Sequence, residues 1–407
     1  MEAETQLDVS MSLSIFFLKN VGVWISNDPA EKRRMKILVL ITLWNTMLGA
    51  VVIFRDIYFT FMYNGDILYV ITNFLTVMIS FVKIIIIMIY KKEFIDMILY
   101  MEKNFWNVKY DFQEEEILNN CRKTCIFFVT SVSTIGICAM ISYAITPIIE
   151  YYTENLSERI LPFHVWLNLP IISVTPYYEI LFAAEVLSIY CVALCYFCFD
   201  NVFCILAVHL AGQFNILKHK FAKLCDTDSK ISKKDEESRL AIEHVQVLYE
   251  RFKEYVRRHQ SLINYCERLE NVYTVIILGQ VVISSVLICL FGYQILVNDV
   301  SIGRRSIFVF LLLGSMCLLF MFTYSCNSVI VHSENIATGA YSALWTTMPM
   351  NKFGRMLRND LILVIERSRR VCCLTANGFF PVSLETYTTI LSTAVSYFTL
   401  LRNNLEE

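Results

Sequence analysis

Glycine is scarce in this chain, 12 residues in 407, and histidine is scarcer still at six. So few glycines leave little material for a phosphate-cradling loop, or for helix interfaces of the G-x-x-x-G kind. The histidines (His164, His209, His219, His244, His259 and His332) are scattered, and neither an H-E-x-x-H nor a G-x-S-x-G motif occurs. Cys195-x-x-Cys198 has no His or acid placed to complete a metal site, so it reads as apolar packing. Enzymatic chemistry, a metal and a cofactor are therefore not expected. Charged residues make up only 18% of the chain and the formal net charge is -2, which leaves no footprint for nucleic acid. A basic n-region followed by a small-residue cleavage site is missing from the first 36 residues, so no cleaved signal peptide is expected.

What remains is apolar. Apolar side chains are 56% of the sequence and aromatics 14%, with a mean hydropathy of +0.52. That composition belongs to an all-α membrane protein embedded in lipid. Seven runs of roughly twenty residues suit a bilayer core: residues 37–54 or beyond, 67–90, 124–146, 176–200, 271–297, 306–328 and 382–401. Of the 35 Lys and Arg, all but Arg55, Lys83, Arg159, Arg304, Arg305 and Arg402 fall on one side of those runs. Excess positive charge marks the cytoplasm. The N-terminus is then cytoplasmic and the C-terminus extracellular, the reverse of a G-protein-coupled receptor. The loop 147–175 becomes extracellular, and its sequon Asn155-Leu156-Ser157 makes Asn155 a glycosylation candidate. None of the 14 cysteines lies in an outer loop, so no structural disulfide is expected.

Four regions follow. Residues 1–36 form a cytoplasmic segment, and 37–350 carry six spans with cytoplasmic helical extensions at about 212–270. Residues 351–380 form a cytoplasmic anchor helix and turn, and 381–407 the last span with a short extracellular tail. Leu240, Ile242, Val245, Leu248, Phe252, Tyr255 and Val256 recur at helical spacing, so a helix is expected to run from the cytoplasm into the fifth span. The fourth span extends inward likewise, through His209, Leu217 and Leu224. These extensions read either as a solvated amphipathic hairpin or as a packing domain for oligomers. Residues 351–374 alternate Met356, Leu357, Leu361, Val364 and Ile365 with arginines, too charged to span, and Ala376-Asn377-Gly378-Phe379-Phe380-Pro381 breaks the helix.

The last span is the most unusual. Glu385, Thr389, Ser392, Ser396, Thr399 and Asn403 follow steps of three and four and form one polar stripe. In hydrocarbon such a stripe faces protein or water. It is either a hydroxyl-bonded helix contact or the wall of an aqueous pore, and a single such helix encloses a pore only in an oligomer. Lys83, within the second span, either snorkels to the inner surface or pairs with Asp200. Glu185, in the fourth, is either solvated by a cavity or neutral by burial. The outer halves of spans two, three, four and six hold Tyr69, Asn73, Phe74 and Val77; Thr134, Cys138, Ser142 and Tyr143; Tyr177, Tyr178, Leu181 and Phe182; and Phe308, Leu312 and Met316. Aromatics, Met and isolated hydroxyls suit a pocket for a small, mostly apolar ligand. They equally suit ordinary helix packing or an aromatic belt.

The stretch Ser333-Glu334-Asn335-Ile336-Ala337-Thr338-Gly339-Ala340-Tyr341-Ser342-Ala343-Leu344-Trp345, the basic helix after it, Leu374-Thr375-Ala376-Asn377-Gly378-Phe379-Phe380, and Ser383 through Leu401 together resemble the C-terminal signature of insect odorant receptors. The likeness is to their divergent, odour-tuned subunits. It implies an odorant-gated, non-selective cation channel assembled as a tetramer with the shared odorant co-receptor, in the plasma membrane of olfactory sensory neurons. A small hydrophobic volatile would bind among spans two, three, four and six, and the last span would line the pore. The implied pore residues are Thr389, Thr393, Ser396, Leu400 as the apolar gate, and Asn404 one turn further out. Asn404 departs from the co-receptor pattern, which is apolar there. A gustatory receptor-type channel is the near alternative, but Thr393-Ala394 stands where its Gln-Phe pair would follow Thr386-Tyr387. A metabotropic seven-helix receptor is the other alternative. Transporters are disfavoured by missing inverted repeats.

Overall fold

The computed structural model describes residues 8–24, 28–63, 67–153, 159, 161–163, 175–224, 237–296, 302–343 and 352–406, except the side chains of 237–245, 398 and 400–406. Among these, ten α-helices form the whole architecture: α1 (Ser12–Val21), α2 (Pro29–Met62), α3 (Ile67–Ile89), α4 (Lys91–Met101), α5 (Phe112–Thr153), α6 (Tyr177–Ala222), α7 (Glu237–Leu296), α8 (Ile302–Ser342), α9 (Lys352–Arg369) and α10 (Leu384–Glu406). Six of them, α2, α3, α5, α6, α7 and α8, are long and apolar enough to cross a membrane. The seventh expected span is α10, at 23 residues, whose hydroxyl groups lower its hydropathy.

Helix length explains the shape. At a rise of 1.5 Å per residue the 60 residues of α7 reach about 90 Å, three times the hydrocarbon thickness. The 42 residues of α5, 46 of α6 and 41 of α8 also overrun it. The expected inward continuations of the fourth and fifth spans are thus single unbroken helices. The central one is α6, which packs against α1, α2, α3, α5, α7 and α8. From Cys191 to Phe214 every residue except Ala193 and Tyr196 is buried, so its apolar side chains need no polar face. Cys195 and Cys198 are wholly buried within that packing.

Two amides on α6 find partners on neighbouring segments. Asn201 Nδ2 donates to Ser133 Oγ at 3.2 Å. Gln213 Nε2 donates to the Tyr110 hydroxyl at 3.0 Å and its Oε1 accepts from Arg258 at 2.9 Å. Leu357, Leu361 and Val364 bury one face of α9, and Tyr249 donates to Asp360 at 2.9 Å to fix α9 on α7. These contacts make the basic helices a packed layer with the ends of α6, α7 and α8.

Two elements were not legible as helices beforehand. Leu13 to Leu18, a weak apolar patch in the sequence, belongs to α1, which buries Phe17, Leu18 and Val21; Phe17 meets Phe197 edge-on at 5.2 Å. Asp8 caps the turn before it, accepting from Ser10 N at 3.0 Å and from Arg122 Nε at 2.5 Å. Burial alone would raise this carboxyl, but the Ser10 amide and the Arg122 guanidinium outweigh it and hold its pKa low. The other element is α4, which continues α3 after a turn at Tyr90 and ends in a π-helical turn, Glu102–Trp106.

Gly22 ends α1 at φ +85°, and an added Cβ would lie 2.4 Å from Met35 O and 2.7 Å from Val39 N. Gly22→Ala should therefore loosen the N-terminal segment, costing about 1–2 kcal/mol for the left-handed backbone and more for the backbone clash. Faster limited proteolysis between α1 and α2 is the expected readout.

The break before α10 closes as a tight loop. Asn377 takes φ 52° and Gly378 φ 77°, Ala376 N donates to Phe380 O, and Val382 N donates to Leu374 O, both at 3.0 Å. Asn tolerates the left-handed region, so Asn377 fits the turn.

Candidate ligand cavity and last helix

One cavity of about 660 Å³ lies between α2, α3, α5, α6 and α8, with Leu287 and Phe291 of α7 at its back. A volume of this size holds a small organic molecule. Its wall is apolar: Val77, Val132, Ala139, Met140, Ile189, Val192, Phe197, Leu311 and Leu318 contribute, with glycines at 49, 136 and 314 widening it. Each glycine stands where a helix passes close to a neighbour. A Cβ on Gly136 would meet the Phe197 ring at 3.1 Å.

The polar lining is sparse and mostly spoken for. Tyr143 donates its hydroxyl to Asn73 Oδ1 at 2.8 Å. Asp56 lies 3.2 Å from Arg55 Nη2. Asn45 reaches Cys191 Sγ at 3.9 Å. Glu185 is buried at 8% exposure; its Oε2 accepts from Phe163 N at 3.0 Å, while its Oε1 is buried without a partner among the described residues.

Of the pocket residues expected from sequence, Asn73 and Val77 line this cavity, as do Tyr143 and Leu181 from the wider set. Phe74 packs against Phe54 at 5.9 Å, and Tyr178 lies against Phe182 at 5.9 Å. Thr134 is exposed, and Cys138 and Ser142 are half-buried, on a face of α5 adjacent to the lining residues Val132, Ile135, Gly136, Ala139, Met140 and Tyr143. Phe308 joins Phe291 and Leu287 in a neighbouring cluster with Leu312 at its edge, and Met316 packs against the main core. The sequence reading placed a span at α2 but gave it no part in the pocket. Leu40, Ile41, Trp44, Leu48, Gly49, Val52 and Ile53 form one side of the cavity. Asn155 lies outside the described residues.

Lys83 does not snorkel. It is wholly buried, with Nζ 2.5 Å from Asp200 Oδ2, itself wholly buried. The same Nζ donates to Tyr196 O at 2.9 Å and sits 4.7 Å from the Tyr196 ring centre. Tyr196 also lines the cavity. The ion pair therefore lies directly beneath it, joining α3 to α6.

The last helix is held on one side only. Ala394 is buried, and Tyr387, Ile390 and Leu391 pack against the core. Phe320 of α8 meets Tyr387 edge-on at 5.3 Å. Glu385, Thr389, Ser392, Thr393, Val395, Ser396 and Thr399 all face away from the chain. The hydroxyls are satisfied by their own helix: Thr393 donates to Thr389 O at 2.8 Å and Ser396 to Ser392 O at 2.9 Å. The side chains of Leu400, Asn403 and Asn404 lie outside the described residues.

A family model described as 7tm Odorant receptor matches residues 63–395. The chain is similar to Odorant receptor 13a of Drosophila melanogaster, 26% identical over 342 residues that cover 82% of this chain and 78% of that protein. It is also similar to Odorant receptor Or2 of Anopheles gambiae, 23% identical over 62% of this chain and 63% of that one. Among solved structures, the insect olfactory receptor OR5 from Machilis hrabei in complex with eugenol superposes with a TM-score of 0.80, covering 97% of each chain at 14% identity.

Proposed function

Because this chain belongs to the 7tm odorant receptor family, we propose that it is an odorant-gated cation channel subunit whose ligand site is the 660 Å³ cavity and whose last helix lines the pore. The observation that carries this reading is a single helix, α8, that serves both. Gly314, Ser315 and Leu318 of α8 face the cavity, and Phe320, on the next turn, packs against Tyr387 of α10. A ligand that displaces this part of α8 displaces α10, so occupancy shifts the population between closed and open packing. The family consists of receptors rather than enzymes, and several apolar helices make the chain a multi-pass membrane protein.

The polar face of α10 supports assembly. Within a bilayer it requires water or protein, and nothing among the described residues covers it. A tetramer with the odorant co-receptor would place that face on a central water-filled axis, with Thr389, Thr393, Ser396, Leu400 and Asn404 along it. The layer built from α9 and the ends of α6, α7 and α8 would be the cytoplasmic anchor. In this orientation the N-terminus is cytoplasmic, the C-terminus extracellular, and residues 154–158, with Asn155, extracellular; the location is the plasma membrane of olfactory sensory neurons. The ligand is a small hydrophobic volatile, of which eugenol, named with the Machilis receptor, is one chemical example.

The test is a current recording with the co-receptor present. Ser188, which lines the cavity from α6, gives the means. Ser188→Phe should fill it and weaken every agonist by about a hundred-fold or more, with surface delivery unchanged. Undiminished responses in this variant would place the ligand elsewhere.

A further inference from the structure

Among the described residues, the cavity wall holds one buried polar atom without a hydrogen-bond partner. Leu181, Glu185, Ser188, Ile189, Val192 and Tyr196 recur at three- and four-residue steps along α6 and all line the cavity. This spacing puts Glu185 on the ligand-facing stripe of the helix. Its Oε2 is tied to the Phe163 amide at 3.0 Å, which fixes the carboxyl at the wall. Its Oε1 is buried and has no hydrogen-bond partner among the described residues. Buried polar atoms are almost always paired, so an unpaired acceptor on a residue that lines a cavity is available to a molecule held there.

The nearby cations are engaged elsewhere. Arg159 pairs with Glu179 at 2.9 Å, Arg304 with Glu150 at 3.9 Å, and Arg55 with Asp56 at 3.2 Å. The other cavity-facing acid, Asp56, already has its arginine, and the Asn73 amide oxygen is taken by Tyr143. Among the described lining residues Glu185 is thus an open acceptor on a mostly apolar surface. We propose that Glu185 is the polar anchor of the cavity, and that the ligands of this chain are small apolar molecules bearing one hydrogen-bond donor, a hydroxyl or amino group, directed at its carboxyl.

A donor fits better than a carbonyl. A carboxylate only accepts, and a neutral carboxyl still keeps acceptor lone pairs, so a hydroxyl ligand is held in either form. An ester or aldehyde would be held only by the neutral form. Asp56 on the facing α2 adds a second acid to the same cavity, which also favours a donor. A site built to accept a hydrogen bond rejects the analogue that lacks the donor, because the buried acceptor is then left unpaired.

This assignment rests on the cavity being the odorant site, and the experiment separates the two. Full-length chain with co-receptor is challenged with alcohols, each paired with its methyl ether, with primary amines, each paired with the hydrocarbon that lacks the amino group, and with the matching aldehydes. In wild type the donor-bearing member should be more potent by about ten-fold or more. Glu185→Leu should bring that ratio close to one by weakening the donors and sparing the ethers. Glu185→Gln, of the same shape and still an acceptor, should keep the preference for alcohols and lose the one for amines. Surface biotinylation checks delivery of each variant. A wild-type ratio near one, a preference for aldehydes, or an unchanged ratio in Glu185→Leu would overturn the anchor. If Ser188→Phe abolishes all responses while Glu185→Leu leaves the ratio intact, only the anchor fails. If Ser188→Phe leaves every response in place, the cavity assignment fails with it.

Discussion

Lys83→Met alone should nearly eliminate folded protein at the cell surface, and Lys83→Met combined with Asp200→Leu should restore much of it. Both side chains are wholly buried at 2.5 Å, in helices that the bilayer surrounds. Removing one partner strands the other charge in a low-dielectric interior, at a cost of about 3–5 kcal/mol. That is a large fraction of the 5–15 kcal/mol by which a typical protein is stable. Replacing both charges by apolar groups of similar volume removes the stranded charge and is often neutral or stabilising. Surface biotinylation with thermal aggregation of detergent-extracted protein provides the measurement. A single variant as stable as wild type, or a double variant no better than the singles, would show that the pair carries no such weight. The pair also touches function, because Lys83 bonds the Tyr196 carbonyl and Tyr196 lines the cavity. A rescued double variant should therefore show altered ligand sensitivity even where its amount is normal.

The same residue shows what a sequence can and cannot disclose. Depth in the second span was readable for Lys83, and Asp200 stood as one of its two readings, but the choice between that pair and snorkelling was not, since it depends on the packing of helices 117 positions apart. The long spans and the runs of α6 and α7 beyond them were readable because their helical periodicity and length are one-dimensional signals. The faces of the spans were not. In water a helix advertises its buried side by contrast with a polar one, but lipid and protein interior are both apolar, so that contrast vanishes. Thr134, Cys138 and Ser142 stand out on α5 by chemistry, yet of the α5 residues singled out in the sequence only Tyr143 lines the cavity, beside Val132, Gly136, Ala139 and Met140, which do not stand out. Hydroxyls are poor guides for a further reason. Thr130 donates to Ile126 O and Thr323 to Leu319 O, so each satisfies itself on its own helix and marks no site. The contribution of α2 was hidden because its residues Leu40 to Ile53 look like any lipid-facing span. Glu185 was visible as an oddity, and only the packing around it shows one oxygen without a partner among the described residues.

On α10 the contrast survives, which is why its stripe was legible, and it yields a second large effect. Ser396→Arg should reduce the ligand-evoked cation current by about an order of magnitude or more and shift the reversal potential toward anions, since rings of charge set pore selectivity. The reasoning runs from exposure. Ser396 and Thr393 face away from the chain while Ala394 between them is buried, so a substitution at the first two meets whatever lies on the far side of α10. If that is lipid, an arginine there costs about 2.5–3.5 kcal/mol at membrane depth and the protein is lost from the surface. If it is a water-filled axis shared by four subunits, the protein reaches the surface and the current changes. Surface labelling and reversal potentials measured on the same cells therefore separate a lipid-facing stripe from a pore wall. Ser396→Thr, which keeps the hydroxyl that Ser392 O accepts, should leave both unchanged. Ser396→Arg at the surface with wild-type current and selectivity would remove α10 from the conduction path. The cavity would then have to act on a pore built from some other helix.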